Sequence, residues 1–247
     1  MPKLDVSVPT PDGTCPAALL VPDGEGPWPA VIMFPDAGGL RPTFHAMGQR
    51  LADFGYVVLV PDPYYRHGPY EPFDMKTAFG DEAERNRLMG LARSVTKEMV
   101  ARDAGAFLDF LAAQPQVAGT AVGTTGYCMG GGSSLTAAAH HPDRVAAAAS
   151  FHGGYLATDA PDSPHTVVDR IRGRVYIAAA ENDGSFPPEQ AAKLEEALQK
   201  GGVDYQLETY PAAHGFAVPD NPTHDPEAEE RHWRALAELY GATLKAS

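Results

Sequence analysis

The residues with the plainest chemical potential are Gly126-Tyr127-Cys128-Met129-Gly130-Gly131. They follow a predicted strand, Ala121 to Thr125, and precede a predicted helix, Ser133 to His140. Gly-x-Cys-x-Gly in that setting is the cysteine form of a nucleophile elbow. The spacing has a steric reason. The nucleophile sits at a sharp, strained turn, and the residues two positions to either side pack too closely to carry a Cβ. The turn lifts the sulfur above the sheet and aims the following helix N-terminus at it. A helix N-terminus and a nearby imidazole both favour the thiolate, which is the reactive form. The Met129 N–H would then point at a developing oxyanion. A second donor is expected after an earlier strand, at Ala37 behind Phe34-Pro35-Asp36. The bland alternative is a Gly-rich turn around an inert, buried thiol. Cys15 has no such context and reads as structural.

A thiol nucleophile needs a base, and the base an orienting carboxylate. With this elbow the chain order is nucleophile, acid, base. Histidines before residue 128 are therefore out of order, and His140 and His141 end the helix behind the nucleophile. His152 follows a strand, in Phe151-His152-Gly153; His165, His224 and His232 lie in polar loop or helix contexts. His214, in Pro211-Ala212-Ala213-His214-Gly215-Phe216, follows the last predicted strand and is placed as the base. Asp183, in Glu181-Asn182-Asp183-Gly184, follows the preceding strand. Position favours it as the acid over Glu181, although Asp before Gly is often a turn residue. Asp36 ends another strand, so it rises at the same sheet edge as Cys128; its plain alternative is an Asx-type turn before Gly38-Gly39.

These groups require strands to carry them. Val6 to Val8 and Ala17 to Val21 read as an opening hairpin, antiparallel because the link is too short for a crossover. Ala30 to Phe34, Tyr56 to Val60, Ala121 to Thr125, Val145 to Ser150, Val175 to Ala180 and Tyr205 to Tyr210 are short apolar or β-branched runs bounded by turn residues. Helical spacing marks Thr43 to Phe54, Glu82 to Leu111 (one helix, or two with a break near Gly90), Ser133 to His140, Pro188 to Gln199 and Glu227 to Leu244. Strand–helix alternation implies an α/β fold, a mostly parallel central sheet with helices on both faces. Pro61 to Asp81 and Gly154 to Gly173 are irregular and are expected to line a pocket.

Composition excludes several classes. The 247 residues are 44% hydrophobic and 21% charged, ordinary for a globular chain and too apolar for a disordered one. The 25 Gly and 23 Pro are scattered, which excludes collagen-like and coiled-coil architectures. A formal charge of −13 without a Lys/Arg cluster argues against nucleic acid and against an anionic membrane surface. One or two local arginines would still suffice for a small anionic substrate. Val145 to Ala149 is the longest solidly apolar stretch, far short of the roughly 20 residues of a spanning helix. Met1 to Gly13 lacks the apolar core of a secretory signal. Two cysteines make no disulfide framework. The expectation is a single domain over 1–247, cytoplasmic, with reduced thiols, no metal and no cofactor.

The elbow Gly126 to Gly131, with Asp183 and His214-Gly215-Phe216 downstream and the stretch Val57 to Asp62 followed by Pro63-Tyr64-Tyr65-Arg66, resembles the dienelactone hydrolase family of α/β-hydrolases over nearly the whole chain. The resemblance implies a Cys128-His214-Asp183 triad that opens an enol-lactone through an acyl-thioester. It also implies a carboxylate contacting the thiol, where the family has Glu and this chain has the shorter Asp36. The best-known members carry an Arg four residues after the catalytic His to hold a substrate carboxylate. That position is Val218 here, which points toward an uncharged ester or lactone. Arg41, Arg85 and Arg87 are the other candidates for an anion, and Tyr64, Phe151 and His152 for pocket lining. Thiolate is a good leaving group, so activated esters and lactones suit this chemistry and amides do not. The other readings are an acyltransferase, a hydrolase of other activated acyl compounds, or a ligand-binding or thiol-sensing protein on the same fold.

Overall fold

The structure, a computed structural model, describes residues 3–245. Met1, Pro2, Ala246 and Ser247, and with them the ends of the expected domain and the start of the N-terminal stretch, lie outside the described residues. The hairpin β1 (Lys3–Thr10) and β2 (Gly13–Leu20) opens the chain. There follow β3 (Trp28–Phe34), α1 (Pro42–Asp53), β4 (Val57–Pro61), α2 (Glu82–Ser94), α3 (Lys97–Ala112) and β5 (Val117–Tyr127). Then come α4 (Met129–His140), β6 (Val145–Phe151), β7 (Arg174–Ala180), α5 (Pro188–Gly201), β8 (Tyr205–Tyr210) and α6 (Pro226–Thr243). The strands form one sheet in the order β1-β2-β4-β3-β5-β6-β7-β8. The pairs β1/β2 and β2/β4 are antiparallel and every pair from β4 to β8 is parallel.

The central strands read as continuous apolar runs because both faces are covered. Leu108 and Leu111 of α3, Leu135 of α4 and Leu194 of α5 pack with Ile32 and Ile177 on one face. Phe44 and Leu51 of α1 and Trp233 and Leu236 of α6 pack with Val31 and Val58 on the other. Among the described residues no helix is long and apolar enough to cross a membrane.

Strands β1, β2 and β5 run longer than expected, and two helix boundaries that differ from expectation matter for the site. The window Glu82 to Leu111 is two helices, broken at Val95 and Thr96 and not at Gly90. Val95 is extended, and the Thr96 hydroxyl accepts the Met99 N–H at 3.2 Å as an N-cap. Gly90 sits in open space inside α2, where glycine costs only propensity. Helix α4 starts at Met129, four residues before Ser133, because the glycines after Cys128 are already helical. The irregular stretches contain short 3-10 turns at Tyr65–His67, Pro164–Thr166 and Val168–Arg170.

Candidate active site

Strand β5 runs into α4 through Cys128, which has φ 55° and ψ −119°. A non-glycine residue reaches that region only when its surroundings over-determine it. The surroundings do so: a Cβ on Gly126 would stand 1.8 Å from the Gly130 carbonyl oxygen, and one on Gly130 would stand 2.3 Å from the Phe34 carbonyl oxygen. Both positions therefore exclude a side chain, and the strand, turn and helix lock around the half-buried sulfur.

The Cys128 N–H is shared between the Phe151 carbonyl and Nδ1 of His152, each at 3.2 Å. Because Nδ1 accepts, the ring proton sits on Nε2, which is buried and has no partner among the described residues. The ring packs edge-on against His214 at 5.2 Å and Phe216 at 4.9 Å. Burial, then the neighbouring His214 and His232, holds the His152 pKa well below the usual histidine value, so this ring stays neutral. His152 also has a positive φ of 39°, a region asparagine tolerates and phenylalanine does not. Accordingly His152→Asn, which keeps an acceptor near Nδ1, is expected to stay within a few-fold of wild type. His152→Phe is expected to lose roughly tenfold or more in kcat/KM, the scale of one hydrogen bond plus backbone strain. Steady-state kinetics beside thermal melts check the pair.

Asp183 lies just beyond β7 and His214 just beyond β8, and the two meet: Nδ1 of His214 bonds Asp183 Oδ2 at 2.7 Å. The other carboxylate oxygen accepts from the Ser185 hydroxyl at 2.7 Å and the Ser185 N–H at 2.8 Å. Burial would raise the Asp183 pKa, but His214 and Ser185 outweigh it and bring it down to about 2. Burial would lower that of His214, but Asp183 and the Cys128 sulfur outweigh it and bring it up to about 10. At neutral pH the imidazole is therefore protonated, held by a carboxylate on one nitrogen and facing the sulfur with the other. Glu181, the rival acid, is exposed, with its N–H spent on the Tyr210 and Ala212 carbonyls. Ser185 was missed in the sequence, where Asp-Gly-Ser reads only as turn chemistry.

Asp36 spends its carboxylate on Arg41 and the Gly38 N–H rather than on a hydrogen bond to the thiol. Its oxygens take Nη1 and Nη2 of Arg41 at 2.6 and 2.9 Å, and Oδ1 also accepts the Gly38 N–H at 2.8 Å. The Asx-type turn thus forms. Among the described residues Asp36 makes no hydrogen bond to Cys128. The shorter carboxylate stays with the guanidinium five positions on. Arg41 in turn makes two 2.8 Å bonds to Asp220, so it is occupied on both sides and is not free for a substrate. The triad of charges anchors the loop after β3. The Gly39 N–H bonds the Asp36 carbonyl at 3.0 Å, which fixes the peptide carrying the Ala37 N–H. Tyr64 is fully buried and donates to the Ala37 carbonyl at 2.7 Å, so it supports this loop and does not line a pocket. Replacing Arg41 by Met leaves two carboxylates without their counter-ion. A loss of roughly 3–5 kcal/mol in urea unfolding is expected, partly recovered by adding Asp36→Asn.

Around Cys128 the cleft has two lobes that share Ala37, Phe79, Cys128 and His214. One, of about 280 Å³, is bounded by Met75, His152, Asn221, Pro222 and Thr223. The other, of about 660 Å³, is bounded by Met89, Arg93, Lys97, Met129, Tyr155 and Ser185. Parts of both irregular stretches thus line it, through Met75 and Phe79 and through Gly154 and Tyr155. Several expected substrate contacts lie elsewhere. Arg85 is exposed and reaches only the Phe79 carbonyl, at 3.4 Å. Arg87 pairs with Glu84 and stacks over Phe73. Phe151 is fully buried against Tyr127 and Tyr176. Val218 is fully buried in the core beneath the His214 loop, so its side chain says nothing about the charge of a substrate. Lys97 and Arg93, which flank the α2–α3 break and line the larger lobe, were not singled out in the sequence.

A mostly parallel sheet with a cysteine on the elbow after β5, and an acid and a histidine after β7 and β8, defines the α/β-hydrolase class. The model of the dienelactone hydrolase family matches residues 15–244, and the chain belongs to that family. A Synechocystis protein named "Putative carboxymethylenebutenolidase" is 30% identical over 84% of this chain and 83% of its own length. A carboxymethylenebutenolidase of a Pseudomonas species is 37% identical over 41% of this chain and 40% of its own. Among solved structures, a dienelactone hydrolase-like promiscuous phosphotriesterase from metagenomic libraries superimposes with a TM-score of 0.77 at 28% identity, covering 97% of this chain and 98% of that one.

Proposed function

We propose that the protein is a cysteine-dependent hydrolase of lactones or small activated esters that works through an acyl-thioester. The observation that carries this reading is the meeting, at one cleft, of a strained-turn Cys128 with a His214 already bonded to Asp183 at 2.7 Å. Family membership supports the ester- or lactone-cleaving class.

The chemistry follows from the resting charges. With the proton on His214, the Cys128 sulfur attacks the substrate carbonyl and a C–S bond forms. The oxyanion lies toward the Met129 and Ala37 N–H groups, in a place where fixed dipoles need no reorganisation. As the intermediate collapses, the C–O bond breaks and His214 gives its proton to the leaving oxygen. In a lactone that oxygen stays tethered to the acyl group. Acylation removes the sulfur's support for the imidazolium, so the His214 pKa falls from its resting value. The neutral ring then takes a proton from water, hydroxide adds to the thioester, and the thiolate leaves. Asp183 holds the ring in one tautomer through both steps.

The test uses p-nitrophenyl acetate and an enol-lactone, with product release followed optically before and after iodoacetamide treatment. Cys15 is fully buried and its pKa is pushed up to about 12 by burial, so alkylation reports Cys128. Turnover that falls in step with the loss of one thiol is expected. Turnover indifferent to that loss would refute the cysteine mechanism.

A further inference from the structure

Among the described residues three large apolar side chains stay exposed, Leu4, Phe79 and Tyr155, and two of them stand at the larger lobe of the Cys128 cleft. A single exposed apolar residue is ordinary, but two rings that converge on a cleft mark a surface that a ligand covers. Neither ring sits on a loose segment. Met75 and Ala78, just before Phe79, are buried with Ala37 and Leu88, and the Ala78 N–H bonds the Asp74 carbonyl at 2.8 Å. Tyr155 has a φ of 56°, an outlier for a bulky residue, and its N–H bonds the Ser185 carbonyl at 2.7 Å. A Cβ on Gly154 would stand 2.8 Å from the Ser185 hydroxyl oxygen, the same hydroxyl that bonds Asp183. Tyr155 is thus clasped to the loop of the acid, and its strained backbone persists because those contacts over-determine it. The clasp nevertheless leaves the side chain 61% exposed, beside Phe79 at 46%. Met89 and Met129 line the same lobe, and thioethers make favourable contacts with aromatic rings. The lobe's volume of about 660 Å³ is several times the roughly 150 Å³ of a cavity that holds benzene, so a lone small lactone would leave most of it empty.

We propose that the larger lobe receives an aromatic group of the substrate, one ring or two fused rings, in contact with Phe79 and Tyr155, and that these two residues set a preference for aryl-bearing esters or lactones. The proposal rests on the hydrolase reading and deepens it, but binding at the lobe can be tested without turnover. Aromatic pairs contribute beyond the area they bury, so the two rings favour an aryl group over an alkyl group of equal reach. The link from Tyr155 through Ser185 to Asp183 ties that binding to the reacting groups: a ring docked on Tyr155 is held in a fixed relation to the triad, where orientation counts toward the rate.

The experiment follows acid release from four neutral esters on wild type, Tyr155→Ala, Tyr155→Phe and Phe79→Ala. Trifluoroethyl 2-naphthylacetate carries the ring on the acyl side and 2-naphthyl acetate on the alcohol side. Trifluoroethyl acetate has no ring, and trifluoroethyl cyclohexylacetate has bulk without aromaticity. Tyr155→Ala and Phe79→Ala are each expected to lower kcat/KM by roughly threefold to tenfold on a naphthyl ester, the worth of one aromatic pair. The ester that loses identifies the side of the substrate that enters the lobe. Trifluoroethyl acetate should stay within about twofold, and Tyr155→Phe should behave as wild type on all four. An equal loss on all four would mean that the two residues serve the fold or the triad, and an equal loss on the cyclohexyl ester would mean that bulk alone is read; either would overturn the proposal, as would no loss on any. If wild type cleaves none of the four, the hydrolase reading has failed and the lobe is still decided by protection. 2-Naphthylacetamide should then slow alkylation of Cys128 by iodoacetamide in wild type and much less in Tyr155→Ala, whereas equal protection in the two, or none, would overturn it.

Discussion

Cys128→Ala should reduce kcat/KM on any ester or lactone the wild type cleaves by roughly five to six orders of magnitude. A triad acts as a unit, so removing its nucleophile leaves only the residual catalysis of the oxyanion donors and substrate binding. The fold should survive, because alanine needs no more room than cysteine at the half-buried elbow and the turn is held by Gly126 and Gly130. Melting temperatures of the two proteins should therefore stay close. A second signature separates chemistry from structure. The Cys128 sulfur helps hold the His214 pKa up to about 10, so its removal should lower that pKa. Titration of the His214 ring by NMR checks it. A Cys128→Ala protein that kept more than about one per cent of activity, with the His214 titration unmoved, would mean that sulfur and imidazole are not coupled.

The second large effect belongs to Asp183→Asn, for which a loss of roughly three to four orders of magnitude in kcat is expected. Asparagine keeps the shape but removes the charge, and its NH2 can present a donor where His214 requires an acceptor. The ring loses both its preferred tautomer and the main support of its charged form. The active resting state needs His214 protonated, and Asp183 and the Cys128 sulfur hold its pKa up to about 10, so the alkaline limb of the wild-type profile is expected near there and should move to lower pH in Asp183→Asn. Stability follows the same pair. His214 is raised from 6.5 to about 10, so its contribution is complete below pH 6.5 and is lost as pH rises through 10. Asp183 is lowered from 3.8 to about 2, so its contribution is complete above pH 3.8 and is lost as pH falls through 2. The stability gap between wild type and Asp183→Asn should be widest between roughly pH 4 and 6.5 and narrow on either side. Urea unfolding across pH, alongside pH–rate profiles, checks both statements.

The sheet was readable because buried parallel strands are apolar on both faces, so runs such as Val57 to Val60 stand out whatever their neighbours. The elbow was readable because its steric demand is local: glycines at 126 and 130 border the nucleophile within five residues. Asp183 and His214 were found by chain order, which is a property of topology. What could not be read depended on contacts distant in the chain. Asp36 looked like a partner for the thiol because nothing in its neighbourhood announced that Arg41 would bridge it to Asp220, 179 positions from that arginine. Val218 looked like a pocket residue from its offset to His214, but the turn that follows the histidine folds the side chain into the core. Phe151, one residue before His152, is spent in the core against Tyr127 and Tyr176, a packing that no local signal announces. Lys97 and Arg93 reach the cleft through the packing of α2 and α3 beside the elbow, a contact between elements that the local pattern does not announce.

The central claim is that Cys128 carries the acyl group between the two half-reactions. Intact-mass spectrometry of His214→Ala mixed with p-nitrophenyl acetate tests it most directly, because without its base the enzyme can still be acylated by an activated ester but deacylates slowly. An adduct of one acetyl group, mapped to the Cys128 peptide and absent from His214→Ala/Cys128→Ala, is the expected result. An acetyl group on any other residue, or release of p-nitrophenol dependent on His214 but with no Cys128 adduct under any quench, would contradict the account.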